Sequence, residues 1–334
     1  MTGRSAGPKL VFAVSMALPW LAAESYIAWS GLDMRLLEPL LYAQGADVAV
    51  HRASDDVDLH YELTPGARSR FLVGGPRLVT INALGFRDVE RRARKPKGVF
   101  RIVCLGGSNT YGALVNDRET YPASLERALN KNGSGRFEVW NAGVSAYTLS
   151  QNVAAARAIV ARYDPDLLIF QFSNPGRRAF FLGAPIRRYF DADPRQYVEA
   201  LPFPRDPGAP HVWLMRRWRL YRCVVIAINR RWPDPRWKTV TPQSDAHNAL
   251  SWRDFQRDYG ERVPLVLFDP VGGQQLPRSS PGVKVLDLSA RRPASAGTEF
   301  TRMHPPAHVY AWYAKELAAF LRRERLLEAR GAAR

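Results

Sequence analysis

Cysteine and lysine are scarce in this chain of 334 residues, and it contains no internal repeat and no low-complexity tract. The two cysteines, Cys104 and Cys223, exclude a disulfide scaffold and a cysteine-rich zinc module. Hydrophobic residues make up 46% and charged residues 24%, which excludes a disordered, collagen-like or coiled-coil chain. The composition is that of a folded protein long enough for one large domain or two small ones.

Positive charge is the main bias of the composition. The chain has 48 basic and 31 acidic residues, a formal net charge of +17, and only seven of the basic residues are lysines. Such a charge predicts contact with nucleic acid or with an anionic membrane, or it reflects an arginine-rich composition without functional meaning. No nucleic-acid-binding motif is recognisable, and the N-terminus indicates a location away from nucleic acid. We therefore predict no nucleic-acid partner.

The N-terminus has the pattern of a membrane anchor. Residues 1–9 are polar and carry two basic side chains, and residues 10–32 are interrupted by a single charge, Glu24. A segment of 23 residues is long enough to span a bilayer with some tilt. We predict a cytoplasmic tip over 1–9 and a transmembrane signal anchor over 10–32, with the remaining chain outside the cytoplasm.

A cleaved signal peptide is the alternative interpretation of this segment. Residues 10–23 form an uncharged run whose length suits a signal-peptide core, and cleavage would follow Ala23. Leu21 then occupies the −3 position, where a small residue is preferred. The uncleaved anchor is favoured, and it predicts a single-pass protein of the inner membrane with its main domain in the periplasm.

The remaining chain divides into an approach segment and an α/β domain. Residues 33–97 are polar and irregular and are interpreted as a membrane-proximal approach segment. Across 98–328, apolar strands alternate with helical patterns, which is typical of a parallel sheet with helices on both faces and a ligand site beyond the carboxyl ends of the strands. The predicted strands are 99–105, 137–141, 166–172, 264–268 and 283–288, and the predicted helices are 121–130, 149–162 and 307–327. Residues 179–250 break this alternation and are interpreted as an insertion.

Part of the insertion is strongly basic. Residues 205–238 carry nine basic and two acidic side chains. Within them, 213–232 has an apolar stripe at helical spacing, formed by Leu214, Trp218, Tyr221, Val225, Ile228 and Trp232. A basic helix with tryptophan on its apolar face is typical of the membrane interface, so a second membrane contact is one interpretation of this segment. The alternative is a helix docked on the protein core with solvated arginines.

Small and polar residues follow three of the predicted strands. Ser108 comes after a glycine pair, Gly143 closes the motif Asn-Ala-Gly, and Asn174 follows the third strand. His304 stands just before the last helix. A serine on a tight turn needs a base such as histidine, and acyl transfer needs donors for the developing oxyanion. The predicted site is therefore a Ser108 nucleophile, a His304 base, and an oxyanion hole of Ser108 N–H, Gly143 N–H and the Asn174 amide, without metal or cofactor.

Other interpretations of the neighbouring residues stay open. Each predicted site residue also suits a plain structural role in a turn or at a helix end. His308 is an alternative base, and a metal site formed by His304 and His308 lacks an indicated carboxylate partner. Arg177 and Arg178 are candidate contacts for an anionic substrate, or they are solvated or ion-paired.

Over about residues 98–325 the chain resembles the SGNH (GDSL-type) hydrolase superfamily. In this resemblance Ser108 in LGGSNTYG matches the nucleophile of block one, Gly143 and Asn174 match the oxyanion donors, and His304 in MHPP matches the base. The resemblance implies a flavodoxin-like three-layer α/β/α fold and serine esterase or O-acyl-transfer chemistry. The approach segment, which ends in NALGFR, resembles that of a membrane-anchored bacterial subgroup whose catalytic domain is extracytoplasmic.

Three departures from the family pattern affect the expected chemistry. Gly107 replaces the usual Asp before the serine, and Asn174 lies in Phe-Ser-Asn-Pro where the family has Gly-x-Asn-Asp. Thr301 occupies the position of the usual Asp three residues before the histidine, and a threonine cannot orient imidazole as an anion. Glu299 is the nearest carboxylate and the candidate orienter, and without it the site is a Ser–His dyad.

The sequence therefore predicts an anchored, extracytoplasmic esterase that acts on an ester of a cell-envelope glycan or lipid. The alternative is a catalytically weak or inactive SGNH-like binding or assembly protein of the envelope, for which Thr301 is the main support.

Overall fold

The protein consists of two compact units. The first comprises Met1–Tyr42 and Pro185–Thr239, and the second comprises Ala43–Ala184 and Val240–Arg334. The computed structural model describes residues 7–33, 36, 50–54, 56, 58–59, 61–71, 77–131, 136–171, 209–231, 242–270, 282–293, 295–302 and 304–328. The sequence-based boundary at 97 does not separate the two units, since the described residues of 50–97 belong with the sheet.

The described residues of the two units form nine strands and eight α-helices. The strands are β1 (His51–Ala53), β2 (Tyr61–Leu63), β3 (Arg68–Phe71), β4 (Arg77–Thr80), β5 (Phe100–Leu105), β6 (Phe137–Asn141), β7 (Leu167–Gln171), β8 (Leu265–Asp269) and β9 (Val283–Asp287). The helices are α1 (Gly7–Ser30), α2 (Ser108–Tyr111), α3 (Tyr121–Leu129), α4 (Leu149–Tyr163), α5 (Ala209–Arg217), α6 (Arg219–Arg231), α7 (Pro242–Tyr259) and α8 (Ala307–Arg323). Short 3-10 turns lie at Asp117–Glu119, Ser289–Arg291 and Thr298–Thr301.

Strands β5 to β9 form one parallel sheet in the order β6-β5-β7-β8-β9. This is the flavodoxin-like arrangement, in which the first strand lies beside both the second and the third. Every residue of β5, β7 and β8 is buried, because helices cover both faces of the sheet. The predicted α/β fold with a parallel sheet between helices is confirmed.

Two apolar layers separate the sheet from its helices. Leu125 of α3 and Leu317 of α8 pack on one face, and Ile159 of α4 and Phe255 of α7 pack on the other. Helix α7 was not predicted, and its first residues were assigned to the insertion, because the first half of this helix is largely polar.

Two antiparallel hairpins precede the sheet, β1–β2 and β3–β4. The first is tied to the connection between β6 and α4. The Tyr61 hydroxyl donates to the Ser145 carbonyl at 2.6 Å, and the Tyr147 hydroxyl donates to the Tyr61 carbonyl. The Gln151 amide donates to the Leu59 carbonyl at 2.8 Å. The approach segment is therefore fastened to the loop that follows Gly143.

In the first unit, α1 packs beside α6 through buried polar contacts. The Glu24 carboxylate accepts the backbone N–H groups of Arg219 at 3.0 Å and Leu220 at 2.8 Å, so it caps the start of α6. Asp33 is fully buried and pairs with Arg222 at 3.1 Å. The one charge in the apolar N-terminal segment thus has a defined partner within the protein.

The predicted helix over 213–232 is two helices, α5 and α6, which meet at Trp218. Its apolar stripe is not free, because Trp218 makes an edge contact with Trp20 at a ring separation of 5.3 Å and Val225 is buried. Trp232 lies outside the described residues. The alternative of a docked helix accounts for these contacts, with α1 as the surface that receives it.

None of the helices in the described part of the chain has both the length and the apolar character needed to cross a membrane.

Candidate active site

Ser108 lies at the carboxyl end of β5 and begins the one-turn helix α2. Gly106 precedes this turn in a crowded place. A Cβ on Gly106 would lie 2.1 Å from Oγ1 of Thr110 and 3.0 Å from Cβ of Gln171. A glycine is therefore required for the strand to turn so tightly, and the turn leaves Ser108 only partly buried at the edge of the sheet.

The structure brings Ser108 and His304 together. Nε2 of His304 lies 2.8 Å from Oγ of Ser108, across 196 residues of sequence. His304 stands between a 3-10 turn and α8, and its burial lowers the pKa of the imidazole below the ordinary histidine value. A neutral imidazole at this distance can accept the hydroxyl proton.

No carboxylate stands behind His304 among the described residues, where the only hydrogen bond of its ring is the one to Ser108. Thr301 directs its hydroxyl to a backbone carbonyl of its own turn at 2.9 Å. Oε1 of Glu299 lies 3.9 Å from Nε2 of His308, and no hydrogen bond or ion pair joins Glu299 to His304 in the described part. The arrangement that the structure displays is a dyad.

Gly143 lies directly against the turn that carries Ser108. A Cβ on Gly143 would meet the Tyr111 nitrogen at 2.3 Å and the Thr110 carbonyl carbon at 2.6 Å. Its N–H donates to Oδ1 of Asn141 at 3.1 Å, so an oxyanion at this donor would have to share it with Asn141 or displace that side chain. The N–H of Ser108, at the start of α2, has no acceptor within the helix.

The remaining predicted site residues, Asn174, Arg177 and Arg178, lie outside the described residues.

A buried polar cluster beneath α2 was not foreseen in the sequence. Oγ1 of Thr110 lies 2.9 Å from Oε1 of Gln171 and 3.1 Å from the Tyr121 hydroxyl. Gln171 closes the apolar strand β7, and a glutamine there was the available signal. Burial raises the pKa of the nearby Cys104 thiol, so this cysteine stays protonated and is no rival nucleophile.

A second unforeseen residue is Arg87, the last residue of the NALGFR motif. Its guanidinium donates to the backbone carbonyls that follow Ser108, at Tyr111, Gly112 and Val115. The sequence carried no signal for this, because an arginine next to a charged stretch looks like a solvated one.

No family model matches this chain, and no curated protein matches it. Solved structures similar to it include a G-D-S-L family protein, described as lipolytic, from Desulfitobacterium hafniense, with 12% identity, a TM-score of 0.34, and coverage of 66% of this chain and 98% of that one. Another is AlinE4, an SGNH-hydrolase family esterase, with 16% identity, a TM-score of 0.32, and coverage of 70% and 100%. A third is TesA, with 14% identity, a TM-score of 0.30, and coverage of 68% and 99%. At these levels the fold assignment rests on the strand order and layers of the chain itself.

Proposed function

We propose that this protein is a serine ester hydrolase in which Ser108 is the nucleophile and His304 is the general base. The observation that carries the proposal is the 2.8 Å contact between Nε2 of His304 and Oγ of Ser108, at the carboxyl end of the sheet. In a flavodoxin-like sheet this end is where ligands bind. The motif order along the chain and its resemblance to the SGNH superfamily point to the same chemistry.

The proposed reaction has two steps. Oγ of Ser108 bonds to the ester carbonyl carbon while Nε2 of His304 takes the hydroxyl proton. The carbon–oxygen bond to the alcohol then breaks, and His304 returns the proton to the departing alkoxide, which leaves an acyl-serine. In the second step the water oxygen bonds to the acyl carbon while His304 takes a proton from that water. The bond between the acyl carbon and Oγ of Ser108 then breaks, the acid leaves, and His304 returns the proton to Ser108. An acceptor alcohol in place of water would make the reaction an O-acyl transfer.

An oxyanion hole is the second part of the proposal. The Ser108 N–H is the first donor, and the Gly143 N–H and the Asn174 amide are the other proposed donors. Without a carboxylate behind His304, the imidazolium formed in the first step is less stabilised than in a triad. We therefore expect turnover slower than that of a triad esterase.

A fluorophosphonate probe tests the nucleophile. The full-length protein should be labelled on Ser108, and labelling and hydrolysis of short-chain nitrophenyl esters should both disappear in Ser108→Ala. Ser145→Ala is the matched control. Ser145 follows β6, the strand after β5 in the chain, and this variant should keep both activities. Labelling that persists in Ser108→Ala would reject this assignment.

A non-catalytic role is the second candidate, favoured by the geometry around Thr301. The Thr301 hydroxyl is bound within its own turn, and the position of the family's Asp supplies no charge to His304. In this alternative the Ser108–His304 pair lines a binding site of an envelope assembly protein. Absence of both probe labelling and ester hydrolysis in well-folded protein would favour it.

We propose further that α1 anchors the protein in the inner membrane, with the sheet domain in the periplasm. Large apolar side chains of α1 are exposed, and among them Leu18 is 61%, Leu21 57%, Tyr26 58% and Trp29 83% accessible. A helix so apolar on its surface suits lipid better than water, and aromatic residues suit the interface. The proposed substrate, an ester of an envelope glycan or lipid, follows from this location and the family resemblance.

The location is tested by fractionation of cells that express the full-length chain. We expect the protein to remain in the membrane pellet after an alkaline wash and to be cleaved by protease added to spheroplasts. Replacement of Leu18 and Leu21 by Glu should release it from the pellet. Recovery of the unchanged protein in the wash would contradict the anchor while leaving the esterase proposal intact.

A further inference from the structure

We propose that Arg87 is a positioning residue for Ser108, and that the approach segment is therefore part of the catalytic unit rather than a spacer. This inference rests on the proposed function, because it concerns the placement of the proposed nucleophile. It adds a residue that neither the family motifs nor the site chemistry assigns.

The guanidinium of Arg87 is fully buried against the chain that follows Ser108. Nη1 donates to the Tyr111 carbonyl at 2.8 Å and to the Gly112 carbonyl at 2.5 Å, and Nη2 donates to the Val115 carbonyl at 2.7 Å. Nε pairs with Asp117 at 2.9 Å, and the Arg87 side chain has no exposed surface. One side chain thus binds three carbonyls of the loop that begins at the nucleophile.

These carbonyls need donors because α2 is a single turn. The carbonyl of Ser108 accepts the N–H groups of Gly112 at 2.8 Å and Ala113 at 3.0 Å, which closes the turn. Gly112 has a left-handed backbone with φ of 86°, so the chain leaves the helix there. The helical hydrogen-bond pattern ends here. The Gly112 carbonyl accepts the Val115 N–H at 3.2 Å as well as the Arg87 guanidinium, and a buried carbonyl without a donor is costly. Arg87 supplies further donors and holds the exit from the turn in place.

A second buried residue of the approach segment, Asn82, fixes the loop that carries Arg87. Oδ1 of Asn82 accepts the N–H groups of Leu84 and Phe86, each at 3.0 Å. Nδ2 of Asn82 donates to the Val89 carbonyl at 2.9 Å. The loop before Arg87 is therefore fixed around one fully buried asparagine. A loop fixed at both ends orients its arginine, as the positioning of a catalytic turn requires.

Arg101 provides a matched control at the other end of the sheet. Its side chain is also fully buried, pairs with Glu138 at 3.0 Å, and donates to the carbonyls of Ala93 at 2.9 Å and Tyr163 at 2.7 Å. It stacks on Trp140 at 4.2 Å, much as Arg87 stacks on Tyr111 at 4.7 Å. Arg101 lies at the start of β5, whereas Ser108 follows its end. Loss of either arginine should disturb folding similarly, but only Arg87 holds the nucleophile.

The experiment compares Arg87→Met with Arg101→Met, with activity normalised to the folded fraction. We expect kcat to fall about 100-fold in Arg87→Met with KM little changed, since small displacements of catalytic groups have effects of that size. Arg101→Met should keep kcat within about threefold, because distant sites act independently. Arg87→Lys should recover only part of kcat, because an ammonium cannot reproduce the planar fork. Added methylguanidinium should raise kcat in Arg87→Ala.

Amide hydrogen exchange separates this inference from the proposed function. Amides of Tyr111, Gly112 and Ala113, which close the turn, should exchange faster in Arg87→Met than in Arg101→Met, whether or not the protein hydrolyses esters. An active wild type with equal kcat in both variants overturns the positioning role and leaves the esterase intact. An inactive wild type with equal exchange in both variants overturns both, and an inactive wild type with faster exchange only in Arg87→Met overturns the esterase alone.

Discussion

The two halves of the candidate site are held in different ways. The turn that carries Ser108 is bound by buried polar side chains, with Arg87 on its exit carbonyls and Thr110 bonded to Gln171 below. His304 has one hydrogen bond within the described residues, and that bond is to Ser108 itself.

The loop before His304 is fixed by apolar contacts instead. Phe300 is buried and makes an edge contact with Trp312 at a ring separation of 5.2 Å. Such contacts place the backbone but do not orient an imidazole ring, which needs a hydrogen bond at its second nitrogen. The nucleophile is therefore positioned by the surrounding fold, whereas the orientation of the His304 ring depends on its hydrogen bond to Ser108.

The largest difference in activity is expected between variants of the two histidines, His304 and His308. His304→Ala should lower kcat/KM about 10³-fold or more, since loss of the base removes the activated nucleophile. His308→Ala, four residues on and beside Glu299, should change it by less than about threefold, as expected for a residue outside the site. Steady-state hydrolysis of a nitrophenyl ester measures both. Equal losses would contradict His304 as the only base, and a loss confined to His308→Ala would make His308 the base.

A carboxylate at position 301 should orient the imidazole ring of His304, which lacks a second hydrogen-bond partner among the described residues. Thr301→Asp places an anion where the SGNH motifs that this chain resembles carry one, and we expect kcat to rise about tenfold as the imidazolium is stabilised. The same anion should raise the pKa of His304.

The pH profile reports this change. Burial lowers the pKa of His304, so the acid limb of kcat/KM in the wild type should lie below the ordinary histidine value of about 6.5. Activity is retained above that midpoint and lost as pH falls through it. In Thr301→Asp the limb should move to higher pH, and an unmoved limb with unchanged kcat would show that residue 301 does not reach the ring.

The smallest effects are expected on stability, when single hydrogen bonds are removed around the turn that carries Ser108 and around Thr301. Thr110→Val leaves Oε1 of Gln171 buried without its donor, at a cost of about 1–3 kcal/mol in the free energy of unfolding. Thr301→Val removes an exposed hydroxyl that also bonds at 2.9 Å and should cost less than about 0.5 kcal/mol. Urea unfolding of the two variants measures the contrast. Equal costs would contradict the difference between the halves.

The sheet and the central pair were predictable because they follow from short-range patterns. Five apolar runs between turn residues predicted β5 to β9, and the rule that sites lie beyond strand ends singled out Ser108. His304, just before the last helix, was singled out because a serine nucleophile needs a base. The buried arginines that bind backbone carbonyls were not predictable in this way. Arg87 and Arg101 look like solvated charges in sequence, and their burial depends on carbonyls that only the folded chain supplies.

The same limit explains the N-terminal unit. Glu24 was noted as the single charge of the predicted transmembrane segment, yet it caps α6 about 195 residues later in the chain. The stripe on 213–232 has the helical period, but a period does not say whether a face meets lipid or another helix. Trp20 is the partner that the pattern could not name.

Trapping of the acyl-enzyme is the most direct test of Ser108 as the nucleophile. The full-length protein is mixed with 4-nitrophenyl acetate, quenched in acid and digested, and the modified peptide is identified by mass spectrometry. We predict an acetyl group on Ser108 that forms more slowly in His304→Ala and is absent in Ser108→Ala. Ester hydrolysis that proceeds with no acetyl group on Ser108, or with one on another residue, would contradict the account.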